Sequence, residues 1–92
     1  MNYKKLKDKF IKNGFNFKLL KREGDKAIYE KRKSKLNYCY EVILIARHDG
    51  YSLGENYLEP AETYPSSSQW GEKGWTFKDL NKAEEKFNNL IG

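Results

Sequence analysis

The sequence predicts an α+β domain in which an N-terminal and a C-terminal helix pack on one face of an antiparallel sheet of three or four strands. Three observations support this prediction: an apolar stripe at helical spacing over residues 3–13, a run of strand-forming residues at 38–47, and a second amphipathic stretch at 77–91. The expected element order is α-β-β-β-(loop or hairpin)-α. A chain of 92 residues has room for one hydrophobic core, so we expect residues 1–92 to form a single domain.

The N-terminal helix is predicted from residues that recur at roughly every third or fourth position. Tyr3, Leu6, Phe10 and Ile11 form one apolar stripe among many lysines. Gly14 suits the left-handed position that often ends a helix. These features predict a helix over residues 3–13.

Three strands are expected to follow the first helix. Residues 15–22 alternate apolar and polar side chains, and the turn at 23–25 leads into a returning strand at Lys26–Lys33. This second strand is polar, which predicts a sheet edge protected by lysines. The β-branched and aromatic run at 38–47 is typical of a central strand that is buried on both faces.

The segment from His48 to Gly74 has a different composition, rich in Gly, Ser, Pro and Tyr. Tyr51–Leu58 predicts a small hairpin that turns near Gly54, and Glu59–Trp70 predicts an irregular connection. A connection this long in so small a domain is usually functional or disordered, and its aromatic residues favour an ordered segment.

The C-terminal helix is the clearest amphipathic pattern in the chain. Thr76 is a suitable N-cap, with Asp79 three residues later in a capping-box arrangement. The apolar residues expected on its buried face are Phe77, Leu80, Ala83, Phe87, Leu90 and Ile91.

No pattern for catalysis, for a cofactor or for a metal site is found in the sequence. The only thiol, Cys39, lies in the most apolar strand, where a buried and unreactive side chain is expected. One histidine, His48, and one cysteine do not make a zinc site. The carboxylates of Glu55, Glu59 and Glu62 lie near each other without a spacing that selects a catalytic pair or a cation site. We therefore expect a chain that is not an enzyme.

The sequence also predicts a compartment. No apolar run approaches the length of a membrane span, and the lysines at the N-terminus are not followed by the apolar stretch of a secretory signal. A single cysteine excludes an internal disulfide and fits a reducing environment. These features favour a protein of the cytoplasm that has no membrane partner.

Charge is distributed unevenly along the chain. Residues 1–37 hold 13 Lys and Arg against 4 Asp and Glu, a balance of +9, and residues 38–92 hold 5 against 9, a balance of −4. The basic half is suited to nucleic acid or to an acidic protein surface. Contact between the two halves, with partial neutralisation, is an equally open interpretation.

The most distinctive string in the chain is YPSSSQWGEKGWTF, at residues 64–77. With the short helix that follows it, this string resembles small proteins of unassigned function from bacteriophages and prophages, over residues 40–90. The resemblance implies a protein made in the cytoplasm of an infected bacterium. Proteins of that kind often occlude a host enzyme or a host defence complex. The resemblance implies no catalytic residues.

Together these observations predict a non-catalytic binding module whose partner is a protein, and the resemblance implies that this protein belongs to the host. Trp and Tyr dominate binding hot spots, so the contact residues are expected to be Tyr51, Tyr57, Tyr64 and Trp70. The alternative is a nucleic-acid-binding protein that uses the basic half. Its contact residues would be Lys4, Lys5, Lys9, Lys12, Arg22, Arg32, Lys33 and Lys35.

Overall fold

The computed structural model describes residues 2–91, and strands dominate this part of the chain. A single α-helix, α1, spans Leu80–Asn89, and a 3-10 turn spans Ser67–Gln69. The predicted fold with two helices on one face of the sheet is therefore wrong. The nine strands, numbered in chain order, are β1 (Lys9–Lys12), β2 (Phe15–Glu23), β3 (Lys26–Arg32), β4 (Tyr38–Leu44), β5 (Ala46–His48), β6 (Tyr51–Leu53), β7 (Asn56–Leu58), β8 (Ala61–Thr63) and β9 (Gly74–Phe77).

A β-hairpin takes the place of the predicted N-terminal helix. β1 pairs with β2 in antiparallel register around a two-residue loop, Asn13-Gly14. Both loop residues have positive φ, 55° and 81°, as the hairpin turn favoured by Asn-Gly requires. Phe10 stacks on Phe17 with ring centroids 4.7 Å apart. Packing across the hairpin thus outweighs the weak local preference of the segment for a helix.

Five strands form the main sheet in the order β1-β2-β3-β4-β9, and every neighbouring pair is antiparallel. β4 lies between β3 and β9, so the run at 38–47 does supply an interior strand, although the middle strand is β3 and the run leaves this sheet after Leu44. The predicted edge position of β3 is wrong, because β3 lies between β2 and β4. Its residues Ala27, Ile28 and Tyr29 are almost completely buried. Three apolar residues in the middle of a polar strand are enough to make it part of the core.

The start of the predicted C-terminal helix belongs to the sheet. Thr76 and Phe77 lie in β9, opposite Glu41 and Tyr40 of β4. The helix begins after Asp79, which is the N-cap and whose carboxylate accepts a hydrogen bond from a backbone N–H in the first turn. The capping residue is therefore the one predicted at the third helical position, because pairing with β4 keeps the preceding residues extended.

The main sheet is covered on both faces, which we call the helix face and the aromatic face. Successive side chains of a strand point to opposite faces. On the helix face, Ala83 and Phe87 of α1 pack against Ile28 and Val42. The aromatic face is covered by the N-terminal segment and by the chain after β8. Its buried residues are Phe17, Ala27, Tyr29, Ile43 and Ile45, with Leu6, Phe10, Phe15, Leu19, Tyr64 and Trp70 packed against them.

Two small sheets complete the fold. β5 pairs with β8, and β6 pairs with β7 around Gly54, whose φ is 63°. The predicted hairpin at Tyr51–Leu58 is therefore confirmed. The segment Glu59–Trp70, predicted to be irregular, contains β8 and the 3-10 turn. Within residues 2–91, no helix has the length and apolar character needed to cross a bilayer.

Candidate functional site

The first candidate surface is the hairpin of β6 and β7, residues 51–58, which we call the apolar hairpin. Every residue of both strands is exposed. The exposed fractions of its large apolar side chains are 46% for Tyr51, 64% for Leu53, 63% for Tyr57 and 39% for Leu58. An isolated two-stranded hairpin is only marginally stable in water, and grouped exposed apolar side chains often mark an interaction surface.

Packing near its base orders the apolar hairpin. The ring of Tyr51 meets the ring of His48 edge to face, with centroids 5.3 Å apart. The ring of Tyr57 lies directly over Gly50, where an added Cβ would overlap the phenol. A residue without a side chain is therefore needed at position 50 for Tyr57 to lie in this position.

An ion cluster connects the strands below the apolar hairpin to the main sheet. The carboxylate of Glu62 on β8 is almost completely buried and accepts hydrogen bonds from Arg22 at 2.9 and 2.7 Å and from Arg47 at 3.1 Å. The backbone N–H of Leu6 donates to the same carboxylate, and Arg47 also pairs with Asp25. The hydrogen bonds from Arg22 lower the pKa of Glu62 to about 2, although burial acts in the opposite direction. Glu62 therefore has a structural role: it holds β8 against the main sheet.

The apolar hairpin and the residues that flank it are acidic in a basic protein. Residues 49–59 contain Asp49, Glu55 and Glu59 and no Lys or Arg. The formal net charge of +5 for the chain therefore divides into −3 for residues 49–59 and +8 for the rest. A surface of this sign repels phosphate and attracts basic groups.

The second candidate site is a pocket of about 470 Å³ on the aromatic face, which we call the aromatic pocket. Its walls include four aromatic rings and its polar groups include a carboxylate and an ammonium. These residues are Phe15, Phe17, Tyr64 and Trp70 on the walls, with Glu41 and Lys31 among the polar groups.

Glu41 is the polar residue at the centre of the aromatic pocket. It is only 6% exposed, since it lies on the interior strand β4. The hydroxyl of Tyr64 donates to its Oε1 at 2.7 Å. Within residues 2–91, Oε2 accepts no hydrogen bond, and the ammonium of Lys31 lies 3.7 Å from it. Burial, together with the neighbouring Glu41, raises the pKa of Tyr64, so its phenol remains a donor.

The walls of the aromatic pocket are fixed by contacts between side chains. The ammonium of Lys31 lies 4.6 Å from the ring centroid of Phe15 and 5.8 Å from that of Phe17. Trp70 stacks beside Tyr64 with centroids 6.4 Å apart, and its indole N–H donates to the hydroxyl of Thr76 at 2.9 Å. The pocket is therefore ordered, with flat apolar walls beside the carboxylate of Glu41 and the ammonium of Lys31.

The four predicted contact residues are divided between the two sites. Tyr51 and Tyr57 lie on the apolar hairpin, and Tyr64 and Trp70 line the aromatic pocket. Tyr64 and Trp70 are half-buried, and Tyr64 also contacts the rings of the core. The four rings thus do not form one continuous surface.

The eight basic residues of the nucleic-acid prediction are only partly brought together. Arg22 is paired with the buried Glu62. Lys12 lines the aromatic pocket. Lys9 and Arg32 line a second pocket together with Lys7 and Lys18. The others are exposed elsewhere on the described surface: Lys4, Lys5, Lys33 and Lys35.

The remaining candidate groups are His48 and Cys39. Nδ1 of His48 lies 2.9 Å from the backbone oxygen of Asp49, whose carboxylate accepts instead from the hydroxyl of Tyr3. Cys39 is half-buried, and burial raises the pKa of its thiol, which disfavours the reactive thiolate. In the part of the chain that the structure describes, no group of three or more His, Cys, Asp or Glu is placed to hold a metal ion.

Sequence reasoning missed Glu41 and Lys31 as site residues. The signal for Glu41 is its position in the string YCYEVIL, where it is the only charged residue in an interior strand. A buried carboxylate needs a partner, so its presence there indicates a polar contact on that face.

Comparison of the chain with protein-family models, curated proteins and solved structures gives no match.

Proposed function

We propose that this chain is a non-catalytic binding module that docks on a protein partner through the apolar hairpin. The observation that carries the proposal is the exposure of Tyr51, Leu53, Tyr57 and Leu58 on one ordered element. Keeping four large apolar side chains in water favours neither folding nor solubility. Their burial by a partner would gain about 25 cal/mol for each Å² of apolar surface removed from water.

The charge of the apolar hairpin indicates the chemistry of the partner surface. Glu55 lies at the turn and Glu59 directly after β7, so carboxylates flank the apolar side chains on both sides. The partner surface that fits is an apolar cleft with a basic rim. Charge complementarity at the rim speeds association and selects among partners, whereas the apolar centre supplies most of the affinity.

The setting of the proposal follows from the sequence resemblance to small phage and prophage proteins. In that setting the partner is a protein of the host cytoplasm, such as an enzyme or a defence complex. The module then acts by stoichiometric occlusion, which requires contact residues and no catalytic group. Arg22 is paired with Glu62, and the other seven basic residues are divided among several places, which makes nucleic acid the less favoured partner.

A capture experiment with matched variants tests this function. The full chain is immobilised and exposed to a bacterial lysate, in parallel with the double variant Leu53→Ser/Tyr57→Ser. Leu36→Ser is the control, because Leu36 is 85% exposed but lies in the turn between β3 and β4. We expect a protein that the unchanged chain and the control both retain and that the double variant loses.

The captured protein is then purified and titrated with each variant. The double substitution should weaken binding at least a hundredfold, since hot-spot side chains contribute about 2 kcal/mol or more each. Equal retention by all three chains would contradict the proposal. Retention that disappears after nuclease treatment, or that weakens steeply as salt rises, would support the nucleic-acid alternative instead.

A further inference from the structure

We propose that the aromatic pocket binds a guanine base, either in a free nucleotide or in a single-stranded nucleic acid. This inference concerns residues outside the apolar hairpin and does not depend on the proposed function. It rests on a carboxylate oxygen of Glu41 that lines the pocket and accepts no hydrogen bond within residues 2–91, on the ammonium of Lys31 beside it, and on flat aromatic walls. A pocket of about 470 Å³ also falls within the usual size of small-ligand sites, about 300–1,000 Å³.

The polar groups of the pocket define the edge of the ligand. Oε2 of Glu41 can accept a hydrogen bond, and the Lys31 ammonium, 3.7 Å away in a salt bridge with it, can donate one. Guanine has N1–H and N2–H₂ donors beside its O6 acceptor on one edge. The donors fit the carboxylate and O6 fits the ammonium. Adenine, cytosine and uracil do not present two neighbouring donors on that edge, so they would satisfy Glu41 less completely.

The walls of the pocket suit the faces of the base. Phe15 and Trp70 both line it, and bases commonly stack on aromatic side chains with a gain of about 1–3 kcal/mol for each base. Trp70 is held by Tyr64 and Thr76, so its ring does not have to be ordered when a ligand binds.

Lysines near the pocket supply a place for the phosphate. Lys12 lines the pocket, and the ammonium of Lys33 lies 5.6 Å from the ring centroid of Phe15. The base edge, the base faces and the phosphate thus each have a counterpart within one site.

Lys18 offers a control for Lys12. It lies on the same β1–β2 hairpin but is opposite Lys9 in the register, whereas Lys12 is opposite Phe15.

The test is calorimetric titration of the full chain with GMP, AMP, CMP and UMP. We expect GMP to bind at least tenfold more tightly than each of the others. Glu41→Gln should remove this preference and weaken GMP binding at least tenfold, because the amide presents a donor where the base also presents donors. The amide oxygen can still accept from Tyr64, which preserves the fold.

A second pair of variants keeps the test informative if the substitution at Glu41 disturbs folding. Lys12→Gln should weaken GMP binding severalfold, and its matched control Lys18→Gln should leave it unchanged. Equal weakening by both would indicate a general effect of surface charge and would overturn the assignment. So would the absence of nucleotide binding at millimolar concentration, or equal affinity for AMP.

The source of the base is decided by a further arm of the same experiment. A short oligothymidylate with one central guanine is compared with GMP and with the oligothymidylate alone. Tighter binding of the guanine-containing strand supports a single-stranded nucleic acid as the source, and tighter binding of GMP supports a free nucleotide. The variant Leu53→Ser/Tyr57→Ser should bind GMP normally, so failure of the pocket and failure of the apolar hairpin are distinguishable.

Discussion

The aromatic face and the apolar hairpin contain similar side chains in opposite environments. On the aromatic face, Phe17 and Tyr29 are 5% and 1% exposed and contact further rings. On the apolar hairpin, Leu53 and Tyr57 are more than 60% exposed. The main sheet has a covering layer on each side, whereas both strands of the apolar hairpin are exposed to solvent. Burial of the first set stabilises the fold, and the second set adds almost nothing to it.

This difference teaches that two functions of apolar residues can be separated in one small domain. A substitution in the core should change the free energy of unfolding and affect binding only through folding. A substitution on the apolar hairpin should weaken binding and leave the free energy of unfolding nearly unchanged. Substitutions in the core, in the ion cluster and on the apolar hairpin should therefore lower stability by successively smaller amounts.

The largest effect is expected for Phe87→Ala, which removes a ring that is completely buried on the helix face. The change should lower the free energy of unfolding by about 3–5 kcal/mol, because it leaves a cavity between α1 and the sheet. Natural domains have a total of only about 5–15 kcal/mol, so the variant should be close to unfolding. Denaturant titration measures the difference.

The control for this prediction is Ile91→Ala. Ile91 is 96% exposed and lies four residues after Phe87, so its removal should change stability by less than about 0.5 kcal/mol. If Phe87→Ala changed stability as little as the control, α1 would be peripheral and the comparison of buried and exposed side chains would fail.

An intermediate effect is expected at the ion cluster between the apolar hairpin and the sheet. The pKa of Glu62 is lowered to about 2 in the folded chain, mainly by hydrogen bonds from Arg22, from an ordinary value of 4.5. A lowered pKa stabilises the fold above the unfolded pKa, and this stability is lost as pH falls through the folded pKa. The contribution, on the order of 3 kcal/mol, should be complete above about pH 5 and lost between about 4.5 and 2.

Glu62→Gln isolates this contribution from the other carboxylates. The variant should be less stable than the unchanged chain at pH 7, because Arg22 and Arg47 lose their shared charge partner. The difference between the two chains should shrink as pH falls from 4.5 towards 2. A constant difference over that range would show that Glu62 contributes through packing and not through its charge.

The smallest effect is expected when the apolar hairpin is removed. Replacing residues 51–58 with a short Gly-Ser turn should change the free energy of unfolding by less than about 1 kcal/mol, since a twofold change in loop length costs only about 0.6 kcal/mol. Thermal unfolding followed by circular dichroism tests this expectation. A loss as large as that of Phe87→Ala would mean that the hairpin is part of the core, and would remove the basis for its role in docking.

Several elements of the fold were predictable because local pattern and tertiary environment agree in them. The run at 38–47 predicted the interior strand β4, and the turn residues around Gly54 predicted the hairpin of β6 and β7. The apolar spacing at 77–91 predicted α1, although its first residues belong to β9. In these cases the side chains fit only one type of element.

Other elements depend on a partner strand that lies outside the segment itself. Residues 3–13 contain an apolar spacing that suits a helix, but Phe10 stacks on Phe17 across the Asn13-Gly14 turn, and the segment becomes part of a hairpin. The Asn-Gly pair was the local signal for this outcome, and it fits a helix end and a hairpin turn equally well until the partner strand is known.

The sequence by itself determined the residue types, the charge division and the absence of a recognisable catalytic pattern. It also determined that residues 51–75 hold many rings. Only the tertiary structure decided which rings are exposed, because exposure depends on the layers packed above each strand. Tyr57 remains in solvent beside Gly50, whereas Tyr64 lies against Phe10 and donates to Glu41. Tyr64 and Glu41 are 23 positions apart in the chain and meet in the aromatic pocket, and no local sequence pattern predicts this contact.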